Sequence, residues 1–197
     1  MAELLVDFIT SLDGYGAAEG WPGWWGLEGP EYLGWLEEQP ESAYTILMGA
    51  NTYQLMSEFA DQLEPGSGDS EEAASINELT AAPKVVFSST LRPPLSWANT
   101  QLVDGSAVEA VEDMKRDGVS MRTIGSVSLC RSLLTAGLVD RFRLVVFPVI
   151  TGSTGRERIY DGYPDVALEM VATRTFDGRL QLLEYVPTVL AGPPSSS

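Results

Sequence analysis

Three short polar segments each follow an apolar run that predicts a buried strand, and each precedes the start of a predicted helix. They are "MGANT" (48–52), "FSST" (87–90) and "IGSVS" (124–128). The first amide N–H groups of a helix have no intrahelical partner, and with the helix dipole they favour an anion such as a phosphate. Gly49, Gly125 and Ser126, the predicted N-cap of its helix, leave room for a ligand to approach the backbone. The spacing matches neither a GxGxxG fingerprint nor a Walker loop, so ordinary helix starts are the alternative interpretation.

Two further sets of residues have side chains that suit a bound substrate. Asp13 in "SLDGY" has the chemistry to orient a substrate or relay a proton, and it equally suits a turn in which its carboxylate binds its own backbone. Tyr15 carries a second exchangeable proton close by. Trp21, Trp24 and Trp25 form either a lid that stacks on a flat ligand or the core anchors of a long loop.

The composition excludes several kinds of chemistry. The 197-residue chain contains no His, so it has no imidazole for acid–base catalysis. Its single cysteine, Cys130, excludes an intrachain disulfide and falls on the apolar face of a predicted helix, where a small buried hydrophobe is expected. The acids at 69–72 lack the ligand spacing of a cation site, and no metal centre is predicted.

The net charge of −16 is concentrated in the first part of the chain. Residues 1–83 hold 16 of the 28 acids and no Lys or Arg, whereas 12 acids and 12 bases follow from Lys84 onward. Such a chain is repelled by nucleic acids and by anionic membranes, and its acidic part suits an interaction protein that docks a basic partner. No apolar run approaches the ~20 residues of a membrane span. The acidic N-terminus does not resemble a signal peptide, so a cytoplasmic location is expected.

Alternating strands and helices must position these residues. Apolar runs predict eight strands, at 3–10, 44–48, 84–88, 100–103, 121–124, 141–150, 166–176 and 179–186, the last two joined by a turn at Asp177-Gly178. Helices are predicted at 30–38, 51–59, 106–118 and 126–136. The alternation predicts one α/β domain over residues 1–190, with a mostly parallel sheet, flanking helices and a C-terminal antiparallel hairpin. Residues 61–82 are predicted to be an acidic loop insertion with at most one helical turn, and 191–197 a flexible tail.

Five motifs appear in the order in which a known family has them: "SLDGY", "YTILMGANTY", "VVFSSTL", "IGSVSLCRSLLTAGLVD" and "FRLVVFPVITG". Over about residues 3–186 the chain resembles the dihydrofolate-reductase-like family, in the version found in bacterial riboflavin biosynthesis (the RibD C-terminal domain type). The resemblance implies a dihydrofolate-reductase-like fold, NADPH as cofactor with NADH as the alternative, and reduction of a heterocycle or a small carbonyl compound.

The resemblance also assigns roles to residues. The residues implied to lie by the cofactor phosphates are Gly49, Ala50, Asn51 and Thr52. Those implied to face the adenosine ribose are Ser88, Ser89 and Thr90, with Arg92 as partner of the 2′-phosphate. Those implied to cradle the pyrophosphate are Gly125, Ser126, Val127, Ser128 and Leu129. Asp13 and the Trp loop, including Trp24 and Trp25, would close over the nicotinamide and the substrate.

Two departures from folate reductases bear on the substrate. Ala50 stands where folate reductases carry an Arg, and Tyr32, with Glu31 beside it, stands where they hold the pterin with a carboxylate. The chain is therefore expected to be an NAD(P)H-dependent reductase of a small planar substrate other than folate. Water, Asp13 or Tyr15 would supply the proton. A non-catalytic nucleotide- or metabolite-binding module of the same fold is the alternative. The apolar segment 141–150 also favours a homodimer.

Overall fold

The computed structural model describes residues 2–20, 25–62 and 71–192, so most of the predicted tail 191–197 lies outside the described residues. Its strands are β1 (Leu4–Ser11), β2 (Tyr15–Ala18), β3 (Thr45–Gly49), β4 (Lys84–Phe87), β5 (Thr100–Val103), β6 (Met121–Thr123), β7 (Arg141–Phe147), β8 (Gly155–Arg158), β9 (Val166–Phe176) and β10 (Leu180–Val189). Its α-helices are α1 (Pro30–Glu37), α2 (Ala50–Gln62), α3 (Glu71–Ala81), α4 (Ala107–Arg116) and α5 (Val127–Thr135). Short 3-10 turns occupy Pro40–Ala43 and Gly152–Thr154.

Eight strands form one sheet in the order β5-β4-β3-β6-β1-β7-β10-β9. The six strands from β5 to β7 are parallel to their neighbours, whereas β10 runs antiparallel to both β7 and β9. Asp177 and Gly178, both with positive φ, make the hairpin turn between β9 and β10. The predicted sheet is confirmed. A second, antiparallel pair of strands, β2 and β8, was not predicted.

Helices pack on both faces of the sheet, because side chains alternate between the faces along each strand. On one face, α4 and α5 pack against Val6 of β1 in a core that includes Leu133 of α5. On the other face, Tyr32 of α1 packs with Phe147 of β7, and α2 packs near β3. None of the helices within the described ranges has the length and apolar content needed to cross a bilayer.

The helix boundaries follow signals that are visible in the sequence. Pro30 is the first residue of α1. The hydroxyl of Ser106 accepts a hydrogen bond from the Glu109 amide at 3.3 Å and caps α4. Gly118 and Gly137, with φ of 82° and 70°, follow the ends of α4 and α5.

Within the acidic segment 61–82, the described residues 61–62 and 71–82 differ from the predicted loop, whereas 63–70 lie outside the described residues. Helix α2 continues to Gln62, and α3 is an 11-residue helix rather than a single turn. Its sequence, EEAASINELTA, is rich in Ala and Glu, which are strong helix formers. The buried ammonium group of Lys84 then binds three backbone carbonyls at the end of this helix, at 2.6 Å (Leu79), 3.0 Å (Thr80) and 2.8 Å (Ala82). The acidic composition led to the prediction of a loop, although the segment contains a helix. The C-terminal end of that helix is held by Lys84 of the neighbouring strand β4.

Candidate active site

The candidate site lies where the neighbouring strands β3 and β6 end. The chain leaves β3 through α2 towards β4 on one side, and it leaves β6 through α5 towards β7 on the other. In open α/β sheets such a reversal leaves a crevice beyond the carboxyl ends of the strands, where ligands bind. The predicted polar segments 48–52, 87–90 and 124–128 follow the parallel strands β3, β4 and β6. All three therefore lie along that one edge of the sheet.

Ser126 links the two strand-to-helix junctions that border the crevice, one between β3 and α2 and the other between β6 and α5. Its hydroxyl oxygen accepts a hydrogen bond from the Gly49 amide at 2.7 Å and lies 2.7 Å from the Thr52 hydroxyl. Gly125 and Ser126 both have positive φ, 53° and 63°, and a Cβ on Gly125 would lie 3.4 Å from the Thr52 hydroxyl. Ser126 occupies the predicted N-cap position, but its side chain does not cap the helix. The left-handed backbone turns the side chain towards β3 instead.

The first turn of α5 is consequently open to an anion. The amide of Cys130 makes the first intrahelical bond, to the Ser126 carbonyl at 3.0 Å. The amides of Val127, Ser128 and Leu129 have no acceptor among the described residues. No acidic side chain stands in this turn. The Leu129 side chain is buried in the core, so only its amide can serve a ligand.

The junction between β3 and α2 brings the first turn of α2 to the crevice. Ala50, Asn51 and Thr52 form its first turn, which also lacks an acidic side chain. Asn51 is exposed and Ala50 is half-buried. A phosphate here would meet small and polar side chains but no arginine.

The loop after β4 is folded by its own side chains. The hydroxyl of Ser88 accepts hydrogen bonds from the amides of Thr90 and Leu91, both at 3.1 Å. One nitrogen of Arg92 donates to the carbonyls of Ser89 at 3.0 Å and Leu91 at 2.9 Å. A guanidinium carries five N–H donors, so this anchoring leaves the others for a ligand.

A groove of about 350 Å³ opens beside this loop. Its lining consists of Leu91, Arg92, Pro93, Leu102 and Asp104. Arg92 suits a phosphate, whereas the Asp104 carboxylate suits the hydroxyl groups of a ribose. The groove thus combines one cationic and one anionic side chain.

Asp13 ties together the ends of β1 and β7. Its carboxylate accepts hydrogen bonds from the Ser11 hydroxyl at 2.6 Å, the Thr151 amide at 3.2 Å and the Gly152 amide at 2.9 Å. The bond from Ser11 is the largest cause that lowers the pKa of Asp13, to about 2. The group is therefore ionised near neutral pH and is a poor proton donor. The hydrogen bonds favour the turn-forming interpretation of Asp13.

Tyr15 packs beside β8. A Cβ on Gly155 would lie 2.6 Å from the Tyr15 ring, and the Arg158 guanidinium lies 5.8 Å from the ring centroid. The Tyr15 amide donates to the Ser11 hydroxyl at 3.0 Å. Tyr15 and Asp13 thus share Ser11 as a hydrogen-bond partner, which keeps this part of the loop together.

Two of the aromatic residues predicted to face the substrate, Trp25 and Tyr32, are core residues. Trp25 and Tyr32 are each only 1% exposed and share one buried cluster with Phe147 and Phe176. Burial is the main cause that raises the pKa of Tyr32 above its ordinary range. Trp25 is therefore an anchor of its loop and not an exposed lid. Trp21 and Trp24 lie outside the described residues.

Glu31 is engaged with the hairpin turn between β9 and β10. The Asp177 carboxylate accepts from the amides of Glu31 at 3.1 Å and Tyr32 at 3.2 Å, and so caps α1 from a distant part of the chain. The Glu31 carboxylate accepts in return from the Asp177 amide at 2.7 Å. This reciprocal contact gives Glu31 a structural task in place of the predicted substrate contact.

Sequence reasoning missed a buried polar network on the face that carries α1 and α2. Arg143, 2% exposed, donates to Asp7 at 2.6 Å and to Gln39 at 2.7 Å, and it lies 5.1 Å from the Trp35 ring centroid. Arg122 of β6 has a buried Nε with no hydrogen-bond partner among the described residues. The sequence did contain a signal for this buried network, because each of the apolar runs "LLVDFIT", "RFRLVVF" and "MRTI" includes a charged residue.

Comparison with known proteins agrees with this architecture. The fold is dihydrofolate-reductase-like, with a polar edge suited to phosphates. The chain belongs to the RibD C-terminal domain family, which matches residues 2–182. A curated relative, the uncharacterized protein YyaP of Bacillus subtilis, is 26% identical over 192 residues, covering 92% of this chain and 93% of the relative.

Two solved structures share the fold. A putative riboflavin biosynthesis protein from Shewanella sp. PV-4 superposes with a TM-score of 0.68 at 19% identity, over 95% of this chain and 99% of that one. A diaminohydroxyphosphoribosylaminopyrimidine deaminase/5-amino-6-(5-phosphoribosylamino)uracil reductase from Thermotoga maritima superposes with a TM-score of 0.65 at 17% identity. This chain matches 57% of that longer protein and is itself covered to 95%.

Proposed function

We propose that the chain is an NAD(P)H-dependent reductase that transfers a hydride to a small planar heterocycle or carbonyl compound other than folate. The observation that carries the proposal is the corner where β3 and β6 end. There Gly125 and Ser126 adopt positive φ, and the first amides of α5 lack acceptors among the described residues. Membership of the RibD C-terminal domain family supports a reductase role of the kind found in riboflavin biosynthesis.

The residues of this edge fit a dinucleotide. The amides of 127–129 and the dipole of α5 suit the pyrophosphate, because they offer several donors and no opposing carboxylate. Thr52 and Asn51 border the same corner from α2. Arg92 would bind the 2′-phosphate of NADPH, and Asp104 would favour the free ribose hydroxyl of NADH. NADPH is the leading cofactor and NADH the alternative.

When bound, the nicotinamide cofactor supplies the hydride, so the chain needs no strong base. The protein contributes alignment and exclusion of water. Asp13 holds the loops after β1 and β7 in one position through its bonds to Thr151 and Gly152. Because Asp13 is ionised at neutral pH, the proton that completes the reduction comes from water or from Tyr15.

The residues around α1 argue against folate as the substrate. Tyr32 replaces the carboxylate that would hold a pterin, and its ring is buried between Trp35 and Phe147, with centroids at 5.9 and 5.8 Å. Glu31, the nearest carboxylate in sequence, is bound to the amide of Asp177. A smaller heterocycle, without a need for a carboxylate at this position, suits the site better.

Cofactor titration followed by a turnover assay tests the proposal. The purified chain is titrated with NADPH and with NADH while tryptophan fluorescence is recorded. Loss of reduced nicotinamide is then followed against a panel of pyrimidines, pterins, small carbonyl compounds and quinones. We expect saturable binding and oxidation with at least one substrate class. Absence of any saturable change with either cofactor up to millimolar concentration would remove the proposal.

The same assay separates catalysis from a binding module. Ala50, which replaces the arginine of folate reductases, favours a module that holds a nucleotide or metabolite without acting on it. Tight cofactor binding with no oxidation across the whole panel would favour this second function over the reductase.

A further inference from the structure

The face of the sheet that carries α1 and α2 has two separate apolar clusters. One lies under α1, on β7 and β10, and includes Tyr32 and Phe147. The other lies under α2, on β3 and β4, and includes Ile46 and Met48. Strands β6 and β1 lie between β3 and β7 in the sheet, so they form the floor between the two clusters. At its carboxyl end this floor reaches the crevice where β6 ends.

The middle of this floor is charged. Side chains alternate between the two faces along a strand, and Met121 and Val6 belong to the core on the face of α4 and α5. Their neighbours Arg122 and Asp7 therefore point to the face of α1 and α2. Arg143 of β7 is the register partner of Asp7 and lies on that same face. In the order of the strands, one carboxylate thus stands between two guanidinium groups.

The two arginines differ in how their charges are balanced. Arg143 forms an ion pair with Asp7 at 2.6 Å and donates a hydrogen bond to Gln39 at 2.7 Å. The Glu41 carboxylate also lies 3.7 Å from the Arg143 guanidinium. Arg122 is half-buried, and its buried Nε has no hydrogen-bond partner in the described part of the chain. Within the same ranges no carboxylate lies at ion-pair distance from Arg122.

The acids closest to Arg122 are already engaged with other arginines. Asp7 accepts from Arg143, and Glu41 forms an ion pair with Arg141. Burial lowers the pKa of Arg122, because its charged form loses contact with water. Proteins normally compensate such a charge with a partner. In a chain whose net charge is −16, an arginine kept apart from the acids leaves one positive charge for a group that comes from outside.

The charge and shape of this position suit a single carboxylate. The planar guanidinium fork matches the two oxygens of a carboxylate. One uncompensated positive charge balances one negative charge, whereas the neighbouring Asp7 would repel a doubly charged group more strongly. Arg122 stands three residues before Gly125, or about 10 Å along the strand. A carboxylate on Arg122 therefore leaves the rest of its molecule pointing along the floor towards the crevice.

We propose that Arg122 binds a carboxylate of the substrate, so that the reductase acts on a flat ring compound that carries one carboxylate. Arg122 would select and orient this substrate and would take no part in hydride transfer. The Asp7–Arg143 pair, with the Arg143 guanidinium 5.1 Å from the Trp35 ring centroid, keeps the floor beside it in place. The identity of the substrate rests on the proposed function, whereas the carboxylate site can be tested without a cofactor.

A matched pair of ring compounds tests the site. Benzoate and benzamide have nearly the same shape, but only benzoate is charged. In calorimetric titrations, Arg122→Gln is expected to weaken benzoate binding ~10- to ~150-fold and benzamide binding less than ~3-fold, because the bond to a charged group is lost. Arg116→Gln is the matched control, since it removes the same charge from a side chain of α4 that is 71% exposed on the opposite face. This control is expected to bind both compounds like the wild type.

A measurement on the wild-type chain does not depend on the folding of a variant. The Nε–H resonance of Arg122, assigned by NMR of the isotope-labelled chain, is expected to shift saturably with benzoate. Benzamide should move it much less, because a neutral amide lacks the charge that the guanidinium attracts. Circular dichroism checks that both variants are folded.

The outcomes separate this site from the proposed reductase activity. Benzoate that does not bind, that binds no more tightly than benzamide, or that leaves the Arg122 Nε–H resonance unchanged would overturn the carboxylate site, whatever the cofactor titrations give. An equal loss of benzoate binding in Arg116→Gln would do the same, because it would reflect the overall charge. A benzoate preference that depends on Arg122, together with no binding of NADPH or NADH, would instead support the site and refute the reductase.

Discussion

Replacing Ser128 by Glu is expected to block cofactor binding while the fold is retained. Ser128 is exposed in the first turn of α5, where the helix has no acidic side chain. An acidic residue in a first turn stabilises a helix through its dipole. The same carboxylate would stand beside the proposed pyrophosphate, which carries roughly two negative charges, one for each phosphate. A loss of cofactor binding in this variant would therefore result from repulsion of the ligand and not from loss of the fold.

The size of the effect follows from charge and distance. Two unit charges about 5 Å apart repel by ~0.8 kcal/mol in bulk water and by ~3 kcal/mol at a dielectric constant of ~20. Screening with a Debye length of ~8 Å lowers these values to ~0.4 and ~2 kcal/mol. Two ligand charges double them, which corresponds to binding that is ~5-fold to several hundred-fold weaker. Because Ser128 is exposed, we expect a loss of at least ~5-fold.

Ser132→Glu is the matched control for this substitution. Ser132 is exposed on the same helix, one turn further from its start, or ~5.4 Å along the axis. At about 10 Å in water the screened repulsion is only ~0.2 kcal/mol, so binding should weaken less than ~2-fold. Fluorescence titration with NADPH measures both variants. Equal affinities in the two variants would refute the placement of the pyrophosphate at this helix.

Three further substitutions test other parts of the structure. Arg92→Ala is expected to weaken NADPH binding ~10- to ~150-fold and NADH binding less than ~2-fold, because charge-assisted bonds to a phosphate contribute about 1.5–3 kcal/mol; titration with both cofactors would show an equal loss if Arg92 only folds its loop. Asp13→Asn removes a carboxylate whose pKa falls from 3.8 to about 2 on folding. Its stabilisation is fully present above about pH 4 and is lost as the pH falls through about 2, so urea unfolding should show the difference from wild type shrinking over that range. Trp25→Ala should lower the free energy of unfolding by ~3–5 kcal/mol, as for a buried Trp; a small stability change with a large loss of ligand affinity would restore the lid interpretation.

Much of the sheet was predictable from local patterns. The runs "TILM" and "KVVF" are apolar because their strands lie inside the sheet, and each ends at small residues where the chain turns. Strands β2 and β8 were missed because each has only four residues and lacks an apolar run. Their pairing places Ala18 beside Gly155, which lies far away in the sequence, and no local sequence pattern indicates such a partner.

The candidate site was predictable in position but less so in contacts. Glycine and serine after an apolar run indicated the corner at Gly125 and Ser126, since small residues there permit close approach. The bond from the Gly49 amide to Ser126, 77 positions away, depends on how β3 and β6 align. Likewise, Asp177 was read as a turn residue, and its capping of α1 appears only when the hairpin is folded against the helix.

The central claim is that the start of α5 holds the linker of a reduced dinucleotide. Amide-resolved NMR of the isotope-labelled chain, titrated with NADPH, tests it most directly. The account predicts saturable binding with the largest shifts at the amides of Val127, Ser128 and Leu129, followed by those of Asn51 and Thr52. Binding that leaves these five amides unchanged, with the largest shifts elsewhere in the chain, would contradict it.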